Sequence, residues 1–229
     1  MDTMDLLLVN RRFMYAVLAR AFCEEPDLLL LKILAGDHMS DEVSLLKEEG
    51  WKEGIDLLHS LRGYLDDEGS LLSLRGEYTK LFVGPQTLLA PPWESVHITG
   101  KRVLFLPEVL NVREAYREAG FLPARFPVVS DDHIGLELDF MEKLAQEAYE
   151  TWQARRSDEC AKRLCQAESF LKTHLLCWID DLAQSILTNY GESFYGEMTA
   201  FASSFMKHDL ETIGRIRAVA FPELSDPSC

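Results

Sequence analysis

The sequence predicts an all-α fold, a single globular helical bundle of about 9–11 helices spanning residues 1–229. Three observations lead there. Apolar residues return at helical spacing in one segment after another. Leu, Ala and Glu are plentiful, while proline and glycine gather between the segments. No stretch alternates in the manner of a strand, and no internal repeat suggests a solenoid.

Taken in order, Thr3 suits the cap of a first helix running to about Phe22, which Pro26 stops. Residues 27–35 read as a short second helix closed by Gly36. Ser40 opens a third that ends at Gly50. Residues 51–66 carry Ile55, Leu58, Leu61 and Leu65 on one face. Residues 70–82 follow, with Leu74, Tyr78, Leu81 and Phe82 along theirs. The stretch from Gly84 to Val96 holds three prolines and breaks the helical pattern. His97 to Gly100 is expected as a turn or a brief extended piece. Pro107 fits the first turn of a helix reaching Ala119, and Gly120 closes it. Pro123 and Pro127 forbid regular helix over 121–129, so 121–130 is the candidate hinge. A long central helix is expected from Asp131 or Asp132. Ile134, Leu138, Met141, Ala145, Ala148 and Trp152 form one stripe on it, and Leu136, Phe140 and Leu144 a second. Ser157 is expected to cap a helix to about Leu175. Residues 178–190 and 192–210 read as two more, and the tail after Phe221 is expected to fray.

Composition narrows the function. Apolar residues make up 47% of the 229, enough for a sizeable core. The formal net charge of −15 repels phosphate, so nucleic acid and anionic lipid are poor partners and basic segments are good ones. The five cysteines show no C-x-x-C spacing, which argues against a disulfide framework or structural zinc and for mostly reduced thiols. Asn10-Arg11-Arg12-Phe13-Met14 looks like the start of a twin-arginine export signal. The apolar run after it is short, contains Arg20 and lacks a small-residue cleavage site, so it reads as a first helix with a basic edge. No apolar run approaches the ~20 residues of a membrane span. Stable membrane insertion is not expected, and the expected location is cytoplasmic.

Tests for chemistry mostly fail. No G-x-S-x-G occurs. Gly100-Lys101 has Ser95 and Arg102 where a phosphate loop needs Gly and Ser or Thr. Repeated Glu-x-x-His, the metal pattern of helical bundles, is absent. His133 and Glu137 share a helix face, too few ligands for a metal site. His174 has no partner visible in sequence. No metal site or phosphate loop is therefore expected, although catalytic pairs formed in space cannot be read from sequence. What remains is recognition. Tyr78, Leu81 and Phe82 line a helix face before a proline-stiffened loop that presents Trp93 and Glu94. Stiffness lowers the entropy lost on binding. The plainer alternative has Trp93 filling the core and the prolines merely ending a helix.

These residues bring a family into view. Tyr78-x-x-Leu81-Phe82-x-Gly84-Pro85, followed by Ala90-Pro91-Pro92-Trp93-Glu94-Ser95-Val96, resembles the TorD/DmsD family of cytoplasmic redox-enzyme maturation chaperones. Ser130-Asp131-Asp132-His133, followed by Gly135, resembles the family's Pro-x-Asp-His segment. His174-Leu175-Leu176-Cys177-Trp178 with Phe194-Tyr195 is a third, weaker match. Gln86, Ser130 and Cys177 depart from the family pattern, which leaves the client open.

The resemblance implies an all-helical chaperone without catalytic activity. It would bind the twin-arginine signal peptide and apo catalytic subunit of a molybdenum or tungsten oxidoreductase until the pterin cofactor is inserted, and so prevent premature export. It also implies weak guanine-nucleotide binding in some members, and a monomer or a domain-swapped dimer through the hinge. Tyr78, Leu81, Phe82 and Trp93 would then shape an apolar groove. Glu94, Asp131 and Asp132 would face the arginines, with Asp131 or Asp132 also a candidate N-cap. His133 would orient the loop or accept a hydrogen bond from the ligand. Three alternatives share parts of this reading. One is a nitrate-reductase-type assembly chaperone binding a mature catalytic subunit, one a metal- or nucleotide-dependent hydrolase using His133 and Glu137, and one an adaptor with no groove.

Overall fold

The computed structural model describes residues 3–41, 52–65, 68–84, 87–101, 107, 109–123 and 129–224. Among them the chain is helical, and its only β feature is one isolated bridge. The helices are α1 (Thr3–Cys23), α2 (Leu28–Leu34), α3 (Lys52–Leu65), α4 (Glu68–Tyr78), α5 (Glu94–Thr99), α6 (Val109–Ala119), α7 (Ile134–Gln153), α8 (Ser157–Phe170), α9 (Leu176–Asn189) and α10 (Phe194–Ala220). Two single π turns, Thr79–Val83 and Leu171–Leu175, follow α4 and α8 directly.

The chain divides into two compact units. The first comprises Met1–Ala19, Trp93–Cys177 and Met206–Cys229, and the second Arg20–Pro92 and Trp178–Phe205. The flanks of the candidate hinge, 121–123 and 129–130, belong to the first unit, and 124–128 lie outside the described residues.

In the first unit α7 packs against α8. Both stripes of α7 are inside except at Trp152, which is half-buried: Ile134, Leu138, Met141, Ala145 and Ala148 are buried, as are Leu136, Phe140 and Leu144. Each large apolar side chain buried in this way contributes roughly 1.5–3 kcal/mol. α1 is fixed by polar groups as well. Arg11 donates from Nε to Asp209 Oδ1 at 2.5 Å and from Nη2 to Oδ2 at 3.1 Å, and the Tyr15 hydroxyl donates to Oδ2 at 2.7 Å. The expected basic edge of the first helix is therefore half right. Arg12 is on the surface, paired with Glu142 at 3.1 Å, while Arg11 is 3% exposed. Its carboxylate partner lies 198 residues away, beyond any local pattern.

In the second unit α2 packs on α3 and α3 on α4. Asp27 caps α2 as its flanking position suggests, accepting from the Leu30 N–H at 2.8 Å and pairing with Arg20. Glu77 reaches from α4 to the start of α10 and accepts the Tyr195 N–H at 2.7 Å. The Leu89 carbonyl accepts from Asn189 at 3.1 Å, and Ala90, Pro91 and Pro92 are buried, so the proline loop is tied down over 89–92.

Several boundaries differ from expectation. The long helix begins at Ile134 with His133 as its cap, not at Asp131 or Asp132. Residues 97–100 are the end of α5, closed by Gly100 in the left-handed region at φ 68°, instead of a turn or extended piece. Ser157 is the first residue of α8, whose cap position is Arg156, and the Arg156 side chain makes no capping hydrogen bond. α10 runs ten residues past the expected end at 210, to Ala220, with Ile213, Ile216 and Arg217 buried. The helix expected from Ser40 to Gly50 lies mostly outside the described residues. Cys23, Cys160 and Cys177 are free thiols, in line with mostly reduced cysteines, and Cys165 is disulfide-bonded.

Candidate functional site

Within the first unit, the segments 93–96 and 130–133 are held edge to edge. Trp93 and His133 form the antiparallel bridge, and the Glu94 N–H donates to the Asp132 carbonyl at 3.0 Å. Their rings meet edge to face with centroids 6.0 Å apart. Both residues are half-buried.

Asp132 is what joins the segments. α5 starts at Glu94, and its cap residue, Trp93, offers no side-chain acceptor. The first N–H groups of a helix need acceptors from outside it. Asp132 supplies two: its carbonyl takes the Glu94 N–H, and its Oδ2 takes the Ser95 N–H at 3.0 Å. The other carboxylate oxygen accepts from the Ser130 hydroxyl at 2.5 Å. The result is a cap delivered from 37 residues away. His133 caps α7 itself, its Nδ1 accepting the Gly135 N–H at 3.0 Å. That leaves the ring proton on Nε2.

Behind the bridge lies a concentration of buried carboxylates. Glu94, Asp131, Asp132 and Glu137 are each no more than 4% exposed. Asp131 accepts from Arg113 Nε at 2.5 Å, and its carbonyl accepts from the Tyr116 hydroxyl at 2.9 Å. The Glu94 oxygens lie 3.1 and 3.2 Å from His174 Nδ1. Among the described residues, Arg113 pairs with Asp131 and His174 lies against Glu94. Tyr116 senses these acids. Burial pushes its phenol well above the usual range, and Glu137, Asp131, Asp132 and Glu94 add to the shift. The ring of Tyr116 sits with Phe121, Phe140 and Phe170 at centroid distances of 4.8–6.0 Å, so the acids are walled by aromatics. A field of this sign in a poorly hydrated setting favours a cation, and a guanidinium most, because it is weakly hydrated and matches a carboxylate bidentately.

The site residues named from sequence fall into both units. Trp93, Glu94, Asp131, Asp132 and His133 come together in the first. Tyr78, Leu81 and Phe82 belong to the second and are buried there. Tyr78 and Phe82 form an aromatic cluster with Phe22 and Tyr195, at centroid distances of 5.1–6.1 Å. The Tyr78 hydroxyl donates to the Phe22 carbonyl at 3.3 Å. Phe82 and Leu81 lie on one of the two π turns, and His174 lies on the other. Single π turns are often found at functional sites. Sequence reasoning missed the partnership of His174 with Glu94 and the roles of Arg113 and Tyr116. The His174-Leu175-Leu176-Cys177-Trp178 motif was the available signal for the first, and nothing local announces the other two.

Comparison with known proteins adds the following. The family model for the nitrate reductase delta subunit matches residues 48–184. The Tat proofreading chaperone DmsD of Salmonella paratyphi A is 30% identical over 123 residues, covering 54% of this chain and 53% of the relative. The probable Tat proofreading chaperone DmsD of Haemophilus influenzae is 22% identical over 163 residues, covering 69% of this chain and 73% of the relative. The chain thus spans about half the length of the Salmonella relative. A crystal structure described as that of a redox enzyme maturation protein from Archaeoglobus fulgidus superposes with a TM-score of 0.48 at 17% identity, over 86% of this chain and 93% of that one. Among the described residues no helix is long and apolar enough to cross a membrane, and no group of three or more His, Cys, Asp and Glu side chains could hold a metal ion.

Proposed function

The chain belongs to the nitrate reductase delta subunit family, together with the TorD/DmsD maturation chaperones, and from that premise we propose that it is a cytoplasmic, non-catalytic chaperone. Its ligand is the twin-arginine signal peptide of a molybdenum or tungsten oxidoreductase subunit, held with the apoprotein until the cofactor is in place. The observation that carries the reading is the bridge between Trp93 and His133, which fixes two half-buried rings beside a group of buried carboxylates. In this reading the rings contact the apolar residues of the signal. Glu94, Asp131 and Asp132 supply the potential that draws its arginines. Arg113, with its side chain 48% exposed, occupies the place at Asp131 that an incoming guanidinium would take. Tyr78, Leu81 and Phe82 are buried in the second unit and take no part in this site.

The strength required is modest. Micromolar affinity is about 8 kcal/mol, and each charge-assisted hydrogen bond contributes roughly 1.5–3 kcal/mol. One or two such bonds with a small apolar contact suffice and still permit release. The test is a calorimetric titration with a twin-arginine signal peptide beside the same peptide with both arginines changed to lysine. The expected result is micromolar binding that weakens at least tenfold with lysine, which lacks the planar fork, and that is lost in His133→Ala. Equal binding of both peptides removes the assigned carboxylates from the reading. No binding of either, over several signal sequences, turns it to the second reading. That second reading, an assembly chaperone for a mature catalytic subunit, is favoured by the description of the matching family model itself.

A further inference from the structure

Glu94 and His174 form a pair whose bonding is incomplete. The two side chains come from α5 and from the π turn at Leu171–Leu175, both within the first unit. His174 Nδ1 lies 3.2 Å from one Glu94 oxygen and 3.1 Å from the other. One ring N–H is thus shared between two acceptors, at distances longer than the roughly 2.7–2.9 Å of a strong charge-assisted bond. An ionised carboxylate offers about four acceptor sites. Among the described residues, the shared N–H is the hydrogen bond that the Glu94 carboxylate receives. Glu94 is 4% exposed and His174 7%, so little water reaches the pair. Packing holds the ring. Phe170 lies against it with centroids 4.6 Å apart, and Tyr116 stacks on Phe170 in turn.

Because Nδ1 faces an acceptor it carries a proton, and Nε2 is the nitrogen that gains or loses one. A neutral ring donates to Glu94 and leaves the carboxylate its charge. A protonated ring donates from the same place as a cation and cancels that charge. The pair therefore has two states with one geometry. The titratable groups around it are these. From α6, Tyr116 has its phenol raised by burial first, with Glu137, Asp131, Asp132 and Glu94 adding to it. From α9, Cys177 has its thiol raised by burial first and then by Glu94. Phenol and thiol both stay neutral near pH 7 as a result. Asp131 is paired with Arg113. On the π turn itself, Lys172 is committed to Glu168, which Arg217 of α10 also reaches. His133, the second imidazole of the site, caps α7 through Nδ1 and is the competing source of any response to pH.

We propose that His174 is a positioning residue that makes peptide binding at this site sensitive to protons: its neutral ring aims the Glu94 carboxylate with the charge intact, and its protonated ring neutralises it. The inference rests on the signal-peptide reading above and supplies its regulation. An incoming guanidinium and the proton on His174 compete for one buried carboxylate. Cation binding and protonation are then negatively linked, and the linkage is reciprocal. The ligand is held toward alkaline pH and released as pH falls through the range in which imidazoles ordinarily titrate.

The test is calorimetry on the full chain with a twin-arginine signal peptide blocked at its N-terminus and free of histidine, so that the peptide does not titrate near neutrality. Between about pH 8 and about pH 5.5 the affinity of the parent should fall about tenfold or more. His174→Gln presents an uncharged amide donor to Glu94 at every pH. It should bind as the parent does at the alkaline end and lose most of the fall. Titrations of the parent in two buffers of different ionisation enthalpy count protons without any variant, which keeps the inference testable if His174→Gln does not fold. Binding near pH 6.5 should release protons, and binding near pH 8 should release few. A fall with pH that is the same in His174→Gln overturns the inference alone and assigns the effect to another group, His133 first. Equal affinity at both ends of the range with no proton released overturns it too. Absence of binding to the parent at every pH overturns the signal-peptide reading, and this regulation with it.

Discussion

Replacing Asp132 by alanine should unfold the join between the two motif segments, and the size of the effect can be worked out from its contacts. The carboxylate accepts the Ser95 N–H at 3.0 Å and the Ser130 hydroxyl at 2.5 Å, in a residue 1% exposed. Alanine leaves both donors buried without an acceptor. Each such orphan costs about 1–3 kcal/mol, so Asp132→Ala should cost roughly 2–6 kcal/mol. Asn presents the same shape. Its amide oxygen can take the Ser95 N–H, and its amide nitrogen can donate to the Ser130 hydroxyl, which then acts as acceptor. It also removes one of four buried negative charges. Asp132→Asn should therefore cost about 1 kcal/mol or less. Urea unfolding followed by circular dichroism separates the two: a 3 kcal/mol loss moves the midpoint by roughly 1 M. A double-mutant cycle sharpens the reading, because Ser130→Ala should matter less once Asp132 is alanine. If Asn falls as far as Ala, charge and not acceptor geometry holds the segment. If Ala stays within about 1 kcal/mol of the parent, Asp132 does not join the segments at all.

Arg11→Met should destabilise by about 3–5 kcal/mol, because it strands the buried Asp209, and the double change Arg11→Met, Asp209→Leu should recover most of that in thermal melts. Glu77→Gln tests a pH effect. Burial raises the Glu77 carboxyl, against hydrogen bonds from Tyr195, Ser193 and Phe194. The native state thus binds more protons than the unfolded one just above the ordinary carboxylate pKa of about 4.5, and stability contributed by the protonated form is lost as pH rises through that window. The variant should match the parent in acid and gain on it toward neutrality, and melting curves with a constant gap would refute this. Burial pushes the Cys160 thiol up to about 11. With a thiol reagent at mild alkaline pH, exposed Cys177 should react well before Cys160, and equal rates would contradict the burial.

What the sequence made legible follows from which interactions are local. Asp27 and Ala35 bound α2 because capping is a matter of adjacent residues. The stripes of α7 could be read because burial along a helix repeats within it. Some of the misplaced features depend on distant partners. α5 exists as a helix because Asp132 caps it from another segment, so 97–100 carried no helical signal of its own. The cap of α7 was read as an aspartate because Asp is the commoner cap, whereas His133 takes it and both aspartates are engaged elsewhere. Candidate residues at 93–94 and 131–133 could be found by motif. That Glu94 meets His174 across 80 residues could not.

The buried acids have an energetic meaning that the motifs alone lack. A carboxylate removed from water must be paired or hydrogen-bonded, or it destabilises the fold. Asp132 and Asp131 meet that demand and do structural work, so their burial needs no ligand to explain it. Glu94 is different. Its carboxylate opposes a single histidine nitrogen, on a π turn that a regular helix would not require. An arrangement that would be more stable without the charge is retained where the charge has a use. Glu94→Gln should therefore leave stability unchanged or improve it, with His174 still hydrogen-bonded to the amide, while weakening an arginine-bearing peptide about tenfold. A variant both less stable and fully competent in binding would place Glu94 with the framework and move the recognition of arginine elsewhere in the molecule.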